Sequence, residues 1–273
     1  MKAWLWPAGV TAAFALLRIR NACADQSEWA ALRSLQPANP QRFQLSMVAE
    51  LPAPARRYFE FVIAPGSPLL TVAELTMSGQ FSLGKRASPH YQAMEACQIL
   101  AVPRGFVWQM RTRTGLPISG SDAAGWTRFR LAGIVPVARR GGNADHARSA
   151  FGRSVAEAVL WTPAAVLPGP GVRWEAVDDF TARVTVAHMG LEQAVDVTAA
   201  GDGRPTQVVF QRWSDANPKK AYQLQPFGGL PSDFRQVQGF RVPWHVEAGN
   251  MFGAQEYFPF YIADLTGMQF PVT

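Results

Sequence analysis

The chain has 273 residues, of which 48% are hydrophobic, with 26 basic and 20 acidic residues and a net charge of +6. This length and apolar content can bury the core of one large domain or two small ones. Lysine and arginine form no long run, since Arg139-Arg140 and Lys219-Lys220 are only pairs. A clustered basic surface is therefore not expected, and no nucleic-acid partner is predicted.

The N-terminus has the features of an export signal. A positive start at Lys2 precedes an apolar run over residues 3–17, and Ala22 and Ala24 form an A-x-A-like end. As a helix, this run reaches roughly 22 Å, which is less than the bilayer core of about 30 Å. Residues 1–24 are thus predicted to be a signal peptide, with two alternatives: a membrane anchor at the N-terminus or a lipid-modified start at Cys23. The protein is predicted to be exported, and to be periplasmic or anchored facing the periplasm.

The segment that follows the leader is predicted to be helical. Residues 25–68 contain a short helix over 27–35, with Ser27 as its cap, and a second helix over 51–63. Prolines near the first turn of the second helix are tolerated there. This segment is expected to form one domain with residues 69–273.

From residue 70 onward, the chain reads as strands. Phe106, Trp108 and Met110 alternate with polar or outward-facing neighbours, which is the period of a half-buried strand. Because strands follow strands directly, the sheet is predicted to be antiparallel. The predicted strands are residues 70–83, 91–102, 105–114, 117–122, 126–137, 172–177, 180–188, 191–199, 206–213, 221–227, 234–238, 241–247 and 256–270.

One helix interrupts these strands. It is predicted over residues 144–161, with Asn143 or Asp145 as its cap, and apolar residues on both sides of Glu157 indicate that it is buried. The predicted fold class is α+β: a large curved antiparallel sheet, half-barrel-like, wrapped around this central helix, with N-terminal helices. By analogy of fold alone, it is similar to the half-open barrels of periplasmic lipoprotein carriers.

The central helix carries the main polar candidates. Arg153 and Glu157 are four residues apart on one helical face, and a carboxylate between apolar neighbours needs a partner. Three roles stay open for them: a structural ion pair or buried anchor, a ligand contact, and direct chemistry. Asp122 is expected to pair with Arg128 or Arg130, or to cap a turn.

Other catalytic signatures are weak. His188 shares strand parity with Val184 and Val186, so it is expected to face inward, as a core histidine or a site residue. No H-x-H, H-E-x-x-H or C-x-x-C spacing occurs, and no Walker loop or G-x-G-x-x-G motif, so neither a metal nor a cofactor is predicted. Trp108 and Trp161 belong to a large aromatic set that fills a core or lines an apolar pocket in a curved sheet.

Short motifs along residues 50–270 occur in the order typical of one bacterial family. They lie at Pro52 to Tyr58, Pro103 to Trp108, Asp122 to Gly125, Arg153 to Pro163, Trp174 to Asp179, Arg212, Gly239 to Pro243, and Tyr257. In these motifs, the chain resembles the DUF6544/DUF6920 group, a family of unknown function. It departs from the pattern at residues 249–252, where a tryptophan is expected. The resemblance supplies no catalytic residue, but it implies that the arginines, Glu157 and the aromatic residues form one architectural set.

These observations lead to three hypotheses for function. The first is non-catalytic binding of an apolar or lipid-like small molecule at the cell envelope. Its candidates for ligand contacts or polar anchors are Glu157, Arg153, Asp122, Trp108, Trp161, Arg212 and His188. The second is a hydrolase in which Glu157 works with Asp122 or His188, which requires these side chains to meet in a cleft. The third is a structural or partner-binding envelope protein with a large exposed apolar patch.

Overall fold

The computed structural model describes the backbone of residues 5–272 and the side chains from residue 16 onward. The predicted positive start of the leader at Lys2 lies outside the described residues. Within them, the α-helices are α1 (Leu5–Arg33), α2 (Ala53–Val62) and α3 (Ala144–Trp161), and short 3-10 turns cover Leu45–Met47 and Pro163–Val166. None of the helices built by these residues combines the length and apolar character that a membrane span needs.

Thirteen strands within residues 5–272 form a single sheet. The first six are β1 (Val72–Ser82), β2 (Tyr91–Ala101), β3 (Gly105–Thr112), β4 (Ile118–Ala123), β5 (Trp126–Leu131) and β6 (Val135–Gly141). The other seven are β7 (Val172–Ala176), β8 (Thr181–His188), β9 (Leu191–Ala199), β10 (Pro205–Ser214), β11 (Gln223–Val237), β12 (Phe240–Asn250) and β13 (Tyr261–Gln269).

The sheet consists of two antiparallel meanders joined at its middle. Its strand order is β6-β5-β4-β3-β2-β1-β13-β12-β11-β10-β9-β8-β7, so β1 pairs with β13 at the centre, while β6 and β7 are the two edges. Helix α3 connects β6 to β7 and thus carries the chain from one edge of the sheet to the other.

The sheet curves strongly around α3. Strands β3 and β10 are six places apart in the sheet, which at about 4.8 Å per strand is roughly 29 Å in a flat sheet. Nevertheless, both strands contact α3, whose diameter with side chains is about 10–12 Å. Only a curved sheet brings both strands to one helix. The predicted α+β fold, a curved antiparallel sheet around a central helix, is confirmed.

Each face of the sheet has its own hydrophobic cluster. Phe106, Trp108 and Met110 on β3 point to the concave face and pack in the large core with α2 and α3. Val107, between them, points to the convex face and packs with Leu32 of α1. The period of two along β3 therefore places alternate residues in two separate cores, as the sequence pattern predicts.

Helix α1 is longer than predicted. The short helix expected over residues 27–35 is wrong, because α1 is continuous from Leu5 to Arg33 and Ser27 lies inside it. No proline or glycine interrupts residues 10–36, and Trp29 packs with Leu32 on the convex face.

Asp25 fixes α1 to the convex face of the sheet, because its Oδ1 accepts hydrogen bonds from Arg128 Nη2 at 2.6 Å and Ser121 Oγ at 2.9 Å. Cleavage of residues 1–24 stays a prediction.

Two strand predictions are also wrong. The single strand expected over residues 126–137 is the hairpin of β5 and β6, whose turn contains Ala132 and Gly133 at positive φ. Conversely, the strands expected over 221–227 and 234–238 form the one long strand β11. Pro231 lies inside β11 beyond the last residue paired with β10, so its missing N–H breaks no ladder bond on that side.

The local signals for the central helix are confirmed. Helix α3 spans Ala144–Trp161, as predicted, and the Asn143 side chain caps it by accepting a 2.8 Å hydrogen bond from the His146 N–H. Pro163 follows directly after its C-cap. The predicted helix over 51–63 is confirmed as α2, which is fixed against α3 by Tyr58, whose hydroxyl donates to the Val159 carbonyl at 2.8 Å.

Candidate functional site

Three polar side chains and a tryptophan form a row across the concave face of the sheet. Strand register pairs Gln98 on β2 with Trp108 on β3, Trp108 with Asp122 on β4, and Asp122 with Thr127 on β5. Arg153, on the second half of α3, meets this row. The site therefore arises from one line of paired residues and the helix that crosses it.

Arg153 is the hub of a closed hydrogen-bond network. Its Nε donates to Glu157 Oε1 at 2.6 Å, and its Nη1 donates to Asp122 Oδ2 at 2.8 Å. Gln98 completes the ring, because its Nε2 donates to Glu157 Oε2 at 2.5 Å while its Oε1 accepts from Arg153 Nη2 at 3.4 Å. The pairing expected between Asp122 and Arg128 or Arg130 is wrong, since Asp122 lies inside β4 and faces the helix.

The network is shielded from solvent. The side chains of Arg153, Glu157 and Asp122 are 17–19% exposed, and the Arg153 guanidinium carbon lies 4.4 Å from the centre of the Phe106 ring. Desolvation opposes the charged form, but attraction to Glu157 and Asp122 outweighs it and raises the pKa of the Arg153 guanidinium. Arg153 thus has two carboxylate partners that stabilise its charge.

A histidine that the sequence left without a role extends this network. Thr127 Oγ1 donates to Asp122 Oδ1 at 2.6 Å and lies 3.0 Å from Nε2 of the buried His146. His146 and Arg153 are seven residues apart on α3, which places them on the same helical face. That spacing could have linked them from the sequence, whereas Thr127 and Gln98 could not be found without the strand register.

A cavity of about 270 Å³ lies beside the network, between α3 and the concave face of the sheet. Its lining is dominated by aliphatic and aromatic side chains, with polar groups only from Arg153, Glu157, Arg212 and a few aromatic heteroatoms. The lining residues are Trp108, Arg153, Ala156, Glu157, Leu160, Trp161, Val208, Phe210, Arg212, Phe227, Gly229, Val246, Ala248, Phe260 and Tyr261.

Arg212 differs from Arg153 in having no partner among the described residues. It lines the cavity from β10, with its guanidinium carbon 5.0 Å from the centre of the Phe227 ring. Its Nε is buried without a hydrogen-bond partner. Burial, followed by repulsion from Arg153, lowers the pKa of the Arg212 guanidinium. The cavity thus contains one cation whose donors are unused by the described part of the chain.

The structure brings most of the predicted site residues together. Trp108, Arg153, Glu157, Trp161 and Arg212 line the cavity. Asp122 joins this group through Arg153, with which it forms an ion pair. His188 does not join it: it pairs with Leu191 at the end of the β8–β9 hairpin and is not in the cavity lining.

The chemical groups at the cavity bear on the hydrolase hypothesis. No serine, threonine, cysteine, lysine or histidine is among the described residues that line it, so Glu157 and Tyr261 are its candidates for nucleophilic catalysis. The Tyr261 hydroxyl donates a 3.0 Å hydrogen bond to Met77 Sδ. The two carboxylates, Glu157 and Asp122, already accept hydrogen bonds from Arg153, Gln98 and Thr127. The arrangement is that of a buried ion-pair network beside an apolar cavity.

Together, fold and site define an antiparallel half-barrel that encloses a helix and holds a ligand-sized apolar cavity between them. The chain belongs to the family DUF6544, a family of unknown function, whose sequence profile matches residues 41–262. The predicted resemblance to this family is therefore confirmed. No curated protein is significantly similar to the chain in sequence.

Solved structures similar to this chain include the following three. A LolA superfamily protein from Nitrosomonas europaea is 12% identical at a TM-score of 0.40, with 84% of this chain and 93% of that one covered. A putative outer membrane lipoprotein-sorting protein domain from Vibrio parahaemolyticus is 12% identical at 0.36, with 73% and 85% covered. A DUF1329 family protein from Desulfovibrio piger is 10% identical at 0.38, with 74% and 86% covered. Similarity at this level transfers neither ligand nor activity to this chain.

Proposed function

We propose that the protein binds an apolar, lipid-like molecule in the cavity beneath α3 and does not transform it chemically. The observation that carries this proposal is the cavity itself, an apolar space of about 270 Å³ with a polar group at few points of its wall. Small-molecule sites are typically concave, mostly apolar and oriented by a small number of polar groups.

The size of the cavity limits the ligand. A volume of about 270 Å³ is near the lower end of the range of small-molecule pockets, which is about 300–1,000 Å³. We infer from this that one acyl chain enters the cavity and a second does not. The ligand we propose is therefore a single-chain lipid, or one chain of a larger lipid whose remainder stays outside.

Lipid carried over from the expression host provides the first test. We expect the protein, purified without detergent, to release a single-chain lipid on denaturation, in a ratio to protein that mass spectrometry can measure. An added panel of such lipids should raise the melting temperature of delipidated protein, because a ligand that binds only the native state stabilises it by mass action. Protein that is free of lipid and shows no thermal shift across the panel would contradict the proposal.

A membrane-facing surface would suit a protein that acts at the cell envelope. In the chain that retains residues 1–24, large apolar side chains are exposed at Leu16 and Ile19 on α1 and at Ile134, Val135 and Val137 in the β5–β6 hairpin. Beside them, a cleft of about 230 Å³ between α1 and this hairpin is lined by four arginines and no acidic residue. These arginines are Arg20, Arg128, Arg130 and Arg139. Exposed apolar side chains next to cations are the combination that attracts an anionic bilayer surface.

We therefore expect the protein to sediment with vesicles that contain phosphatidylglycerol and to remain in solution with vesicles of phosphatidylcholine alone. Replacing Arg130 and Arg139 with glutamine should reduce this binding, since each basic residue near an anionic surface contributes about 1 kcal/mol. Arg104 and Arg204, which are exposed elsewhere, provide a control double variant with the same loss of charge. Equal binding to both vesicle types, or equal losses in both double variants, would contradict a role for this surface.

A further inference from the structure

Arg212 lies at the wall of the cavity, and its side chain has no partner among residues 16–272. This limits the chemical class of the ligand that the cavity can bind. The Arg212 side chain forms no ion pair or hydrogen bond with any described residue, and its Nε is buried. A buried polar group without a partner is rare in folded proteins and calls for a specific explanation. A charged one is costlier still.

The neighbouring acids do not supply that explanation. Asp122 and Glu157 lie close enough to attract Arg212 electrostatically, but their oxygens accept hydrogen bonds from Arg153, Gln98 and Thr127. Arg153 repels Arg212 from the same side. The Arg212 guanidinium therefore forms no hydrogen bond to these acids, and its two Nη groups are available to a ligand that enters the cavity.

Trp108 does not supply a second donor to this space. The residue lines the cavity, but its indole Nε1 is buried beside the Tyr261 side chain and has no partner within hydrogen-bond geometry. An arginine side chain offers only donors and no acceptor. The Arg212 guanidinium thus suits a ligand that brings an acceptor into the cavity.

Building on the proposed function, we propose that the ligand is a single-chain amphiphile whose head is an oxyanion, a carboxylate or a phosphate, that accepts hydrogen bonds from the Arg212 guanidinium. Its chain lies against the aliphatic and aromatic lining. Arginine is well suited to this role, since its planar fork binds carboxylate and phosphate oxygens in pairs. Arg153 forms ion pairs with Glu157 and Asp122, and its positive charge offsets the repulsion that these carboxylates would exert on an incoming anion.

Binding of three ligands with the same chain but different heads tests this inference. Decanoate, decyl phosphate and 1-decanol are titrated into delipidated protein by calorimetry, at a pH at which the carboxylic acid is fully ionised. We expect decanoate or decyl phosphate to bind at least about tenfold more tightly than 1-decanol, because charged hydrogen bonds are the stronger ones. The anion that binds more tightly identifies the head as a carboxylate or a phosphate.

Variants then assign the preference to one residue. Arg212→Gln should reduce the anion's advantage over 1-decanol to about twofold or less, and Arg212→Lys should retain part of it. Arg148→Gln is the matched control, since Arg148 also stacks on an aromatic ring, with its guanidinium carbon 4.2 Å from the centre of the Trp213 ring, but is exposed and does not line the cavity. Circular dichroism and melting curves establish that each variant folds.

The possible outcomes separate this inference from the proposed function. If wild-type protein binds all three ligands equally and Arg212→Gln changes nothing, the oxyanion head is overturned while lipid binding stands. If none of the three binds and no other single-chain lipid does, lipid binding itself fails, and the inference falls with it. If Arg212→Gln loses the preference for the anion over 1-decanol and Arg148→Gln keeps it, the result supports both lipid binding and the oxyanion head.

Discussion

Replacement of Arg153 by methionine is expected to lower the free energy of unfolding by about 3–5 kcal/mol, the range measured when one partner of a buried ion pair is removed. Arg153 donates to Glu157 at 2.6 Å and to Asp122 at 2.8 Å, and all three side chains are largely buried. Methionine keeps the apolar part of the side chain but leaves two buried carboxylates without their cation. Equilibrium unfolding in urea measures the loss as a shift of the midpoint at a constant m-value.

The chain contains a matched control for this variant. Arg56 and Glu60 on α2 have the same i,i+4 spacing, but both are about 45% exposed and their charged atoms are 3.9 Å apart. Arg56→Met should therefore cost no more than about 0.5 kcal/mol. If Arg153→Met also costs less than about 1 kcal/mol, the network is not an anchor of the fold, and Arg153 would have to be reinterpreted as a ligand contact.

Where the structure departs from the sequence-based expectation, longer-range packing outweighs a local signal. Helix α3 was predictable because its limits are local: Asn143 caps it and Pro163 follows it. Strand β11 was not, since Gly228, Gly229 and Pro231 are ordinary strand breakers in isolation. In the structure, β12 pairs with β11 from Phe227 to Val237, and Phe252 covers Gly228 so closely that a Cβ there would clash with its ring.

The candidate site shows the same contrast between what local sequence signals predict and what long-range packing decides. The pair of Arg153 and Glu157 is visible in the sequence, since helical periodicity alone places these two side chains together. The sequence indicates Asp122 as a candidate but predicts the wrong partner for it. Its partner in the ion pair is Arg153, which is 31 positions away in the chain. Only the register of β2, β3 and β4, which aligns Gln98, Trp108 and Asp122 in one row, brings this carboxylate beneath α3.

The sequence predicts an apolar pocket in the curved sheet and several of its residues, but not the volume of the cavity or its full lining, because a cavity is the space left between elements. The aromatic residues were expected to fill a core or to line a pocket, and both occur: Trp174 packs in the core against Tyr58 and Phe59, whereas Trp108 and Trp161 line the cavity. A volume of this kind depends on how far the sheet curves, and curvature is a property of all thirteen strands within residues 5–272.

Filling the cavity from the helix side should therefore abolish ligand binding while leaving the fold in place. Ala156 lines the cavity and is only 6% exposed, so in Ala156→Phe the ring would occupy space that an acyl segment needs. We expect lipid affinity to fall at least about tenfold, with a change in unfolding free energy within the 1–3 kcal/mol typical of overpacking. Titration with decanoate measures the lipid affinity, and urea unfolding measures the change in unfolding free energy.

Ala144→Phe, at the exposed first turn of the same helix, controls for the added ring. If Ala156→Phe retains wild-type affinity, the ligand binds elsewhere, and the basic cleft between α1 and the β5–β6 hairpin becomes the site to test.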